Sequence, residues 1–261
     1  MITFALAASL AAAPALAPEP RTREADVVER LGDAVAHDVV LTTERGERVR
    51  VGDLLDGKRP VILTLGYFRC EQLCSVVLRG QMEALKASAL TLGEDYVSLT
   101  VSIAPEEDAG LAAERQTHWL RAFGRPDASD SWRFLTGDEA SLRTLADSVG
   151  FVYRRDDDSG VYLHPAVLVV LSPDGRVSRY LYGVRFPTRD VRLAVVEAAE
   201  GRAGTSFDRV LLTCFKWDPA TRSYQLFVSR FLKGGGLIVL ACVGTLLGVL
   251  WRRELTRGAD R

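Results

Sequence analysis

The sequence predicts an α/β domain with parallel strands, followed by a membrane-spanning helix. Three observations support this prediction. Strand-like and helix-like segments alternate between residues 60 and 150, a pattern that calls for parallel strands joined by helices. Two strand-like runs then flank the turn sequence Ser172–Gly175, which is typical of a hairpin. Finally, the apolar stretch Phe231–Trp251 contains Lys233 as its only charge and would form a helix about 31 Å long, enough to cross a bilayer.

The individual elements follow from apolar spacing and from residues that start or end helices. Val39–Leu41 is a short strand candidate, Val61–Phe68 is typical of a buried strand, and apolar residues at helical spacing run from Ser75 to Leu90. The later predicted elements are strand Tyr96–Ile103, helix Glu107–Phe123, strand Trp132–Leu135, helix Asp138–Val149, hairpin strands Ala166–Leu171 and Val177–Tyr182, and helix Thr188–Glu200. Parallel units that end in a hairpin and a closing helix match a thioredoxin-like fold better than a doubly wound sheet.

Both ends of the chain indicate export and membrane tethering. Met1–Ala17 is rich in Ala and Leu, carries no charged side chain and ends in an Ala-x-Ala pattern, as signal peptides do. Arginines follow the apolar stretch, which places the C-terminus in the cytoplasm and the domain on the periplasmic side of the inner membrane. The predicted organisation is a signal peptide (1–17), a linker with short strands (18–50), the thioredoxin-like domain (51–205), a cysteine-containing membrane-proximal segment (206–230), a transmembrane helix (231–251) and a cytoplasmic tail (252–261).

Composition narrows the functional classes. The chain is 48% hydrophobic and 26% charged, which excludes a disordered protein and allows one sizeable core. The 33 Lys and Arg residues are balanced by 34 Asp and Glu residues, so no net field attracts a polyanion. Because no basic, aromatic-rich stripe occurs either, we expect no nucleic-acid binding.

Cys70 and Cys74 stand where the strand before them gives way to a helix. Thiols at a helix N-terminus have an increased thiolate fraction, which metal ligation and thiol exchange both need. A structural disulfide is the alternative, but a bridge over three residues closes a very short loop and constrains the unfolded chain little. On a regular helix the two Cβ atoms would lie about 5–6 Å apart, longer than the roughly 3.5–4.5 Å of a disulfide. The pair is therefore predicted to be functional.

A third ligand has to come from the three histidines. His37 precedes a strand and His118 lies on a helix, and both are better explained as surface or packing residues. Taken alone, His164 too would more often be a structural histidine than a ligand. It lies beside Pro165 at the start of a strand, in the part of a thioredoxin-like fold that faces the cysteine helix, and this placement favours a ligand. Two thiolates and one imidazole form a soft ligand set that suits copper, particularly Cu(I), whereas structural zinc normally takes four protein ligands. We therefore expect Cys70, Cys74 and His164 to bind copper, as Cu(I), Cu(II) or both.

Over roughly Val51–Leu212 the sequence resembles the Sco/SenC family of copper-binding, thioredoxin-fold assembly factors for cytochrome c oxidase. The stretches that carry the likeness are Leu65–Cys74, Thr100–Ile103, Arg133–Gly137, His164–Pro165 and Ser178–Gly183. The copper ligands of the family fall on Cys70, Cys74 and His164. Two positions depart from the family pattern, because Glu71 replaces a common Pro and Ala104 replaces a common Asp.

The resemblance implies a metallochaperone rather than an enzyme. Its expected partners are the copper-receiving subunit of a membrane oxidase, other periplasmic copper or thiol proteins, and the membrane itself. Two alternatives use the same residues: a thiol–disulfide oxidoreductase in which Cys70 attacks and Cys74 resolves, and a copper or redox sensor. A dedicated exchanger more often carries Cys-x-x-Cys and needs no His, so the three-residue spacing and His164 favour copper.

The two remaining cysteines lie near the C-terminus. Cys214 begins a segment, Cys214–Thr221, that resembles one found before a C-terminal helix in a bacterial subgroup of the family. It is either a further thiol partner or a small buried residue of a strand over Val210–Phe215. Cys242 lies in the middle of the predicted span and is interpreted as apolar bulk.

Overall fold

The structure is a computed structural model that describes residues 25–69, 73–199, 215–218 and 223–226. The strands and helices, in chain order, are β1 (Val40–Thr43), β2 (Arg48–Arg50), β3 (Val61–Gly66), α1 (Leu73–Ala87), β4 (Val97–Ser102), α2 (Ala109–Phe123), β5 (Trp132–Thr136), α3 (Glu139–Ser148), β6 (Arg154–Arg155), β7 (Tyr162–Leu163), β8 (Val167–Leu171), β9 (Val177–Tyr182), α4 (Thr188–Ala198), β10 (Phe215–Asp218) and β11 (Ser223–Leu226).

A seven-stranded sheet in the order β2-β1-β5-β4-β3-β8-β9 forms the centre of the fold. β3, β4 and β5 are parallel, and β8 runs antiparallel to β3 before the β8–β9 hairpin closes one edge. Short strands β10 and β11 pair with each other. Parallel units followed by a hairpin and α4 are the mixed α/β, thioredoxin-like arrangement that the sequence predicts.

Alternation along β3 divides the core between the two faces of the sheet. All six residues of this strand are buried, because β4 and β8 flank it and helices cover both faces. Val61, Leu63 and Leu65 pack in one hydrophobic cluster together with residues of α3. Ile62 points to the other face, where residues of α1, α2 and α4 complete a second cluster. The sheet is therefore a rigid platform whose strand ends present the loops.

A buried polar network fixes helix α1 on the sheet. The Thr64 hydroxyl donates to Gln81 Oε1 at 2.7 Å, and Gln81 Nε2 donates to Ser98 Oγ at 2.9 Å. Gln81 is fully buried, and the three residues come from β3, α1 and β4. Because an unpaired amide at this depth is costly, the network holds α1 in one register against the two strands. This anchor lies seven residues after Cys74 in the same helix.

Helix boundaries differ from the sequence prediction by a few residues, for local reasons. α2 begins at Ala109 rather than Glu107, because the Asp108 side chain accepts the Leu111 N–H at 2.9 Å and caps the helix. α1 ends at Ala87 rather than Leu90, because Ala89 adopts a left-handed φ of 59°.

Three strands of only two or three residues were not predicted individually. β2 pairs antiparallel with β1. β1 lies where the sequence predicts a strand, and it extends the sheet beyond β5. β6 and β7 form a separate two-stranded ribbon immediately before His164. Strands of two or three residues show no periodicity, so no sequence pattern distinguishes them from loops.

The predicted signal peptide (1–17), transmembrane helix (231–251), cytoplasmic tail (252–261), Cys214 and Cys242 lie outside the described residues. Within the ranges that the structure describes, no helix combines the length and apolar character needed to cross a membrane.

Candidate metal centre

The predicted site lies at the edge of the sheet where the parallel strands end. Gly66, the last residue of β3, pairs with Ser102, the last residue of β4, so the loops after both strands emerge side by side. Ligand sites in parallel α/β sheets occur at this edge. The loop after β3 leads to Cys70, which lies outside the described residues. Cys74 belongs to the first turn of α1, where the structure describes its backbone.

A buried carboxylate holds the loop that leads to Cys70. Glu107 lies in the β4–α2 loop and is only 4% exposed. Its Oε2 accepts the Phe68 N–H at 2.7 Å and its Oε1 accepts the Arg69 N–H at 2.8 Å. The Ser102 hydroxyl donates to the same Oε2 at 2.5 Å. These hydrogen bonds to a carboxylate tie the end of β4 to the two residues that directly precede Cys70.

His164 lies between β7 and β8, with its imidazole buried at the same edge. Its Nδ1 is 3.0 Å from the Pro165 carbonyl oxygen. A carbonyl only accepts hydrogen bonds, so Nδ1 carries the proton and Nε2 carries the lone pair. Burial lowers the pKa of His164 below its ordinary value of 6.5, which keeps the imidazole neutral at physiological pH.

Aromatic side chains join the His164 segment to the cysteine loop. Tyr67 lies three residues before Cys70, and its ring meets the His164 ring edge-on with centroids 6.1 Å apart. The Phe151 ring stacks on His164 with centroids 6.0 Å apart, and the Tyr162 ring lies 5.5 Å from Tyr67. The structure therefore brings the predicted histidine ligand to the loop that carries the first predicted cysteine ligand.

Tyr162 connects this aromatic group back to the β4–α2 loop. Its hydroxyl donates to Glu106 Oε2 at 2.9 Å. Burial, and then this hydrogen bond, raise the pKa of Tyr162 to about 12, so the phenol remains a donor at neutral pH. Glu106 and Glu107 thus contact the histidine side and the cysteine side of the site from one loop.

A small pocket opens where the three parts of the site meet. The end of β3, the second turn of α1 and the imidazole all line it, through Gly66, Tyr67, Phe68, Val77, Leu78 and His164 among others. Its walls are mostly apolar. Such walls favour a neutral metal ligand such as imidazole, and they favour a soft cation over a cation that keeps its water ligands.

The donors predicted from the sequence suit copper on the chemistry that the structure describes. Nε2 of a neutral, buried imidazole is the kind of nitrogen that ligates a metal, and its orientation is fixed through the hydrogen bond of Nδ1. Across the described part of the chain, no three side chains of His, Cys, Asp or Glu converge on a common point.

The other two histidines lie elsewhere. The His37 carbonyl accepts the Gly52 N–H at 2.9 Å, and its imidazole lies against the turn at Gly175. His118 is exposed on α2 with its ring edge-on to Trp119, 5.3 Å between centroids. Both occupy surface positions, in line with their interpretation as surface or packing residues.

Glu107 is the residue that sequence reasoning missed. The sequence assigned it to the start of a helix, whereas it lies in the loop before the capping residue Asp108. A usable indication existed, because a carboxylate directly after a parallel strand falls at the edge where ligands bind. Which of Glu106, Glu107 and Asp108 turns inward depends on the loop conformation, which no spacing in the sequence reveals.

Comparisons with known proteins identify the family. The SCO1/SenC family model matches residues 28–198. No curated protein sequence matches the chain significantly. Among solved structures, a protein from Aquifex aeolicus VF5 is 22% identical, with a TM-score of 0.56 over 68% of this chain and 98% of its own.

Two further structures share the fold. A SCO1/SenC family lipoprotein from Bacillus anthracis is 14% identical, with a TM-score of 0.52 over 66% of this chain and 99% of its own. Arabidopsis thaliana ScoI, solved with copper bound, is 21% identical, with a TM-score of 0.51 over 66% and 99% of the two chains. The match to the family model covers most of the chain, including every strand of the central sheet and the loops that form the site, and on this evidence the chain belongs to the SCO1/SenC family.

Proposed function

We propose that this protein binds one copper ion through Cys70, Cys74 and His164 and supplies it to the copper site of a respiratory cytochrome c oxidase. The observation that carries the proposal is the neutral, buried imidazole of His164, whose Nδ1 is held by the Pro165 carbonyl beside the loop that leads to Cys70. Family membership and the copper-bound Arabidopsis relative support the choice of metal.

The residues of the chain have distinct roles in holding the ion. Cys70 and Cys74 supply thiolates, which bind Cu(I) well, and His164 supplies Nε2. The Pro165 carbonyl fixes the tautomer, and the aromatic contact with Tyr67 fixes the plane of the ring. Copper is the cargo here, so a site open at the strand ends allows transfer to a partner.

The first test is a Cu(I) titration of the reduced full-length protein in detergent against a competing chelator. We expect wild type to bind one equivalent tightly. Cys70→Ser, Cys74→Ser and His164→Ala should each weaken binding by more than the roughly 10–100-fold that changes outside the ligand shell cost. Matched controls are His118→Ala, an exposed histidine on α2, and Cys242→Ser, and both should bind as wild type does.

Two results would contradict the ligand set. If the wild-type protein holds no copper, thiol–disulfide exchange by Cys70 and Cys74 becomes the leading function. If His164→Ala binds as tightly as wild type, the third ligand lies elsewhere. Cys214→Ser belongs in the same series, because a loss of affinity there would make Cys214 a further thiol partner.

Delivery is separated from sensing by oxidase activity. Membranes from cells that lack this protein should show low cytochrome c oxidase activity, restored by wild type but not by Cys70→Ser. Restoration by added copper alone would support supply of the metal. Normal oxidase activity without the protein would favour a sensor.

We also propose that the domain works on the periplasmic side of the inner membrane, tethered by residues 231–251. Tethering would confine protein and client to one membrane and raise their effective concentration. A green fluorescent protein fused after Arg261 should fluoresce from the cytoplasm. A membrane-impermeant maleimide should label Cys70 in intact spheroplasts, whereas labelling only after lysis would place the domain inside.

A further inference from the structure

We infer that Glu107 is a positioning residue for the metal site, which holds the Phe68–Arg69 segment so that the cysteine motif starts in the geometry needed for ligation. This inference rests on the proposed function. Its basis is the pair of hydrogen bonds from two consecutive backbone N–H groups to the two oxygens of one buried carboxylate, at 2.7 and 2.8 Å.

The position of Glu107 in the fold makes this clamp rigid. Its backbone N–H donates to the Ala104 carbonyl at 3.1 Å, which closes a tight turn directly after β4. Its Oε2 also accepts the hydroxyl of Ser102, a residue with no exposed surface at the end of β4. The carboxylate is therefore fixed from the strand side, and the loop after β3 is the element that it orients.

Without the carboxylate, two backbone N–H groups of the loop would lose their hydrogen-bond acceptor. Phe68 is buried, and a buried N–H that loses its acceptor carries a desolvation penalty. The N–H of the exposed Arg69 is bound to the other oxygen of the same carboxylate, so two consecutive backbone groups fix the direction in which the chain leaves β3. The next residue is Cys70, so a change in this direction moves the first thiolate relative to His164, whose own position depends on other contacts.

The contacts of Glu107 distinguish it from a carboxylate that only stabilises the fold. Glu44, also buried, pairs with the guanidinium of Arg133 and accepts the Phe134 N–H at 3.4 Å near the start of β5, at the opposite edge of the sheet. Glu107 instead accepts from backbone groups of the site loop. Removing either carboxylate should destabilise the protein, but only the loss of Glu107 should change the metal site.

The experiment compares Glu107→Gln with Glu44→Gln in the reduced full-length protein. Glutamine keeps the volume of glutamate, but its amide NH2 cannot accept one of the two backbone N–H groups. We expect Glu107→Gln to lower the Cu(I) affinity roughly tenfold, as the loss of outer-shell contacts does in other metal sites. Glu44→Gln should lower the unfolding temperature at least as far and leave the Cu(I) affinity unchanged. Ser102→Ala removes the third hydrogen bond to the carboxylate and the acceptor of the Ala104 N–H but leaves both bonds to the site loop, so it should lower the affinity less than Glu107→Gln does.

A second readout uses no copper. In the metal-free reduced protein, Glu107→Gln should speed the alkylation of Cys70 by iodoacetamide, quantified by peptide mass spectrometry, because the preceding segment is no longer held. Glu44→Gln should alkylate at the wild-type rate. If wild type binds no copper, the proposed function fails while this readout still decides whether Glu107 positions Cys70. Wild-type affinity in Glu107→Gln, or equal losses of affinity in the two variants, would overturn the inference.

Discussion

A glutamate is buried at each end of the parallel strands of the central sheet, and the two carboxylates have different hydrogen-bond partners. Where the parallel strands end, Glu107 accepts hydrogen bonds from Phe68 and Arg69 backbone groups and from a serine hydroxyl. Near the start of β5, the two oxygens of Glu44 accept the Arg133 Nε–H at 2.9 and 3.1 Å, and Oε2 also accepts the Phe134 N–H at 3.4 Å. One carboxylate orients backbone next to the site, and the other is neutralised by a cation.

This difference separates a carboxylate that stabilises the sheet from one that we infer to position the metal site. An ion pair between β5 and the residue after β1 closes the sheet edge and leaves little net charge behind. A carboxylate held by N–H groups fixes the path of a loop instead, which serves a site that must keep its geometry. Changes at the two edges should therefore have different consequences for unfolding and for copper.

The largest loss of stability without a loss of copper binding is expected from Glu44→Gln. The change leaves Arg133, whose side chain is 15% exposed, without its counter-charge. Breaking a buried pair from one side costs about 3–5 kcal/mol in the free energy of unfolding. Urea denaturation measures this loss, and Glu47→Gln, an exposed carboxylate in the same turn, is the matched control. A drop in Cu(I) affinity in Glu44→Gln would show that the two edges are coupled.

An intermediate loss of stability is expected from Gly80→Ala, a change within α1. A Cβ atom at Gly80 in α1 would lie 2.1 Å from the Val184 carbonyl oxygen, so the helix has to move away from the loop before α4. Overpacking of this kind costs about 1–3 kcal/mol. Because α1 also carries Cys74, we expect the Cu(I) affinity to fall together with the stability.

Gly110→Ala is the matched control for Gly80→Ala. Gly110 lies in α2, where a Cβ atom would meet only the Asp108 Oδ1 at 3.4 Å, an ordinary contact distance. Stability and copper binding should both stay near wild type. If Gly80→Ala lost stability and kept its copper affinity, the register of α1 would not matter to the site.

The same contrast explains what the sequence can and cannot predict. Val61–Gly66 and the hairpin strands follow from apolar runs and turn chemistry, because burial on both faces of a sheet demands such residues. Cys70, Cys74 and His164 are predicted as ligands from residue type and from their places along the fold, and the structure brings His164 to Tyr67 in the loop that leads to Cys70.

Other features depend on contacts between residues that are far apart in the chain. Glu107 bonds residues 38 and 39 positions away, and Glu44 bonds a residue 89 positions away. Exposed carboxylates stand close to both in the sequence, Glu106 and Asp108 beside Glu107 and Glu47 near Glu44. Hydrophobic periodicity does not show which of these side chains is buried. Only the packed loops decide which carboxylate turns inward, so both roles become visible in the structure alone.

The smallest expected effect is a pH dependence of the free energy of unfolding that arises from His164. Burial lowers the pKa of His164 below 6.5, whereas in the unfolded chain the imidazole titrates near 6.5. As the pH falls below about 6.5, the unfolded state therefore takes up a proton that the folded state does not. The metal-free protein should lose stability as the pH falls through this window, with a slope of at most about 1.4 kcal/mol per pH unit from this group. The loss should level off below the folded-state pKa.

His164→Gln tests this expectation, because glutamine is polar and does not titrate. Urea unfolding of metal-free wild type and His164→Gln at pH 7.5, 6.5 and 5.5 gives two curves whose difference isolates the imidazole. The difference should favour wild type most at pH 7.5 and shrink toward pH 5.5. A constant difference would mean that His164 takes up its proton equally in both states, and it would contradict the neutral, buried imidazole on which the proposed copper site rests.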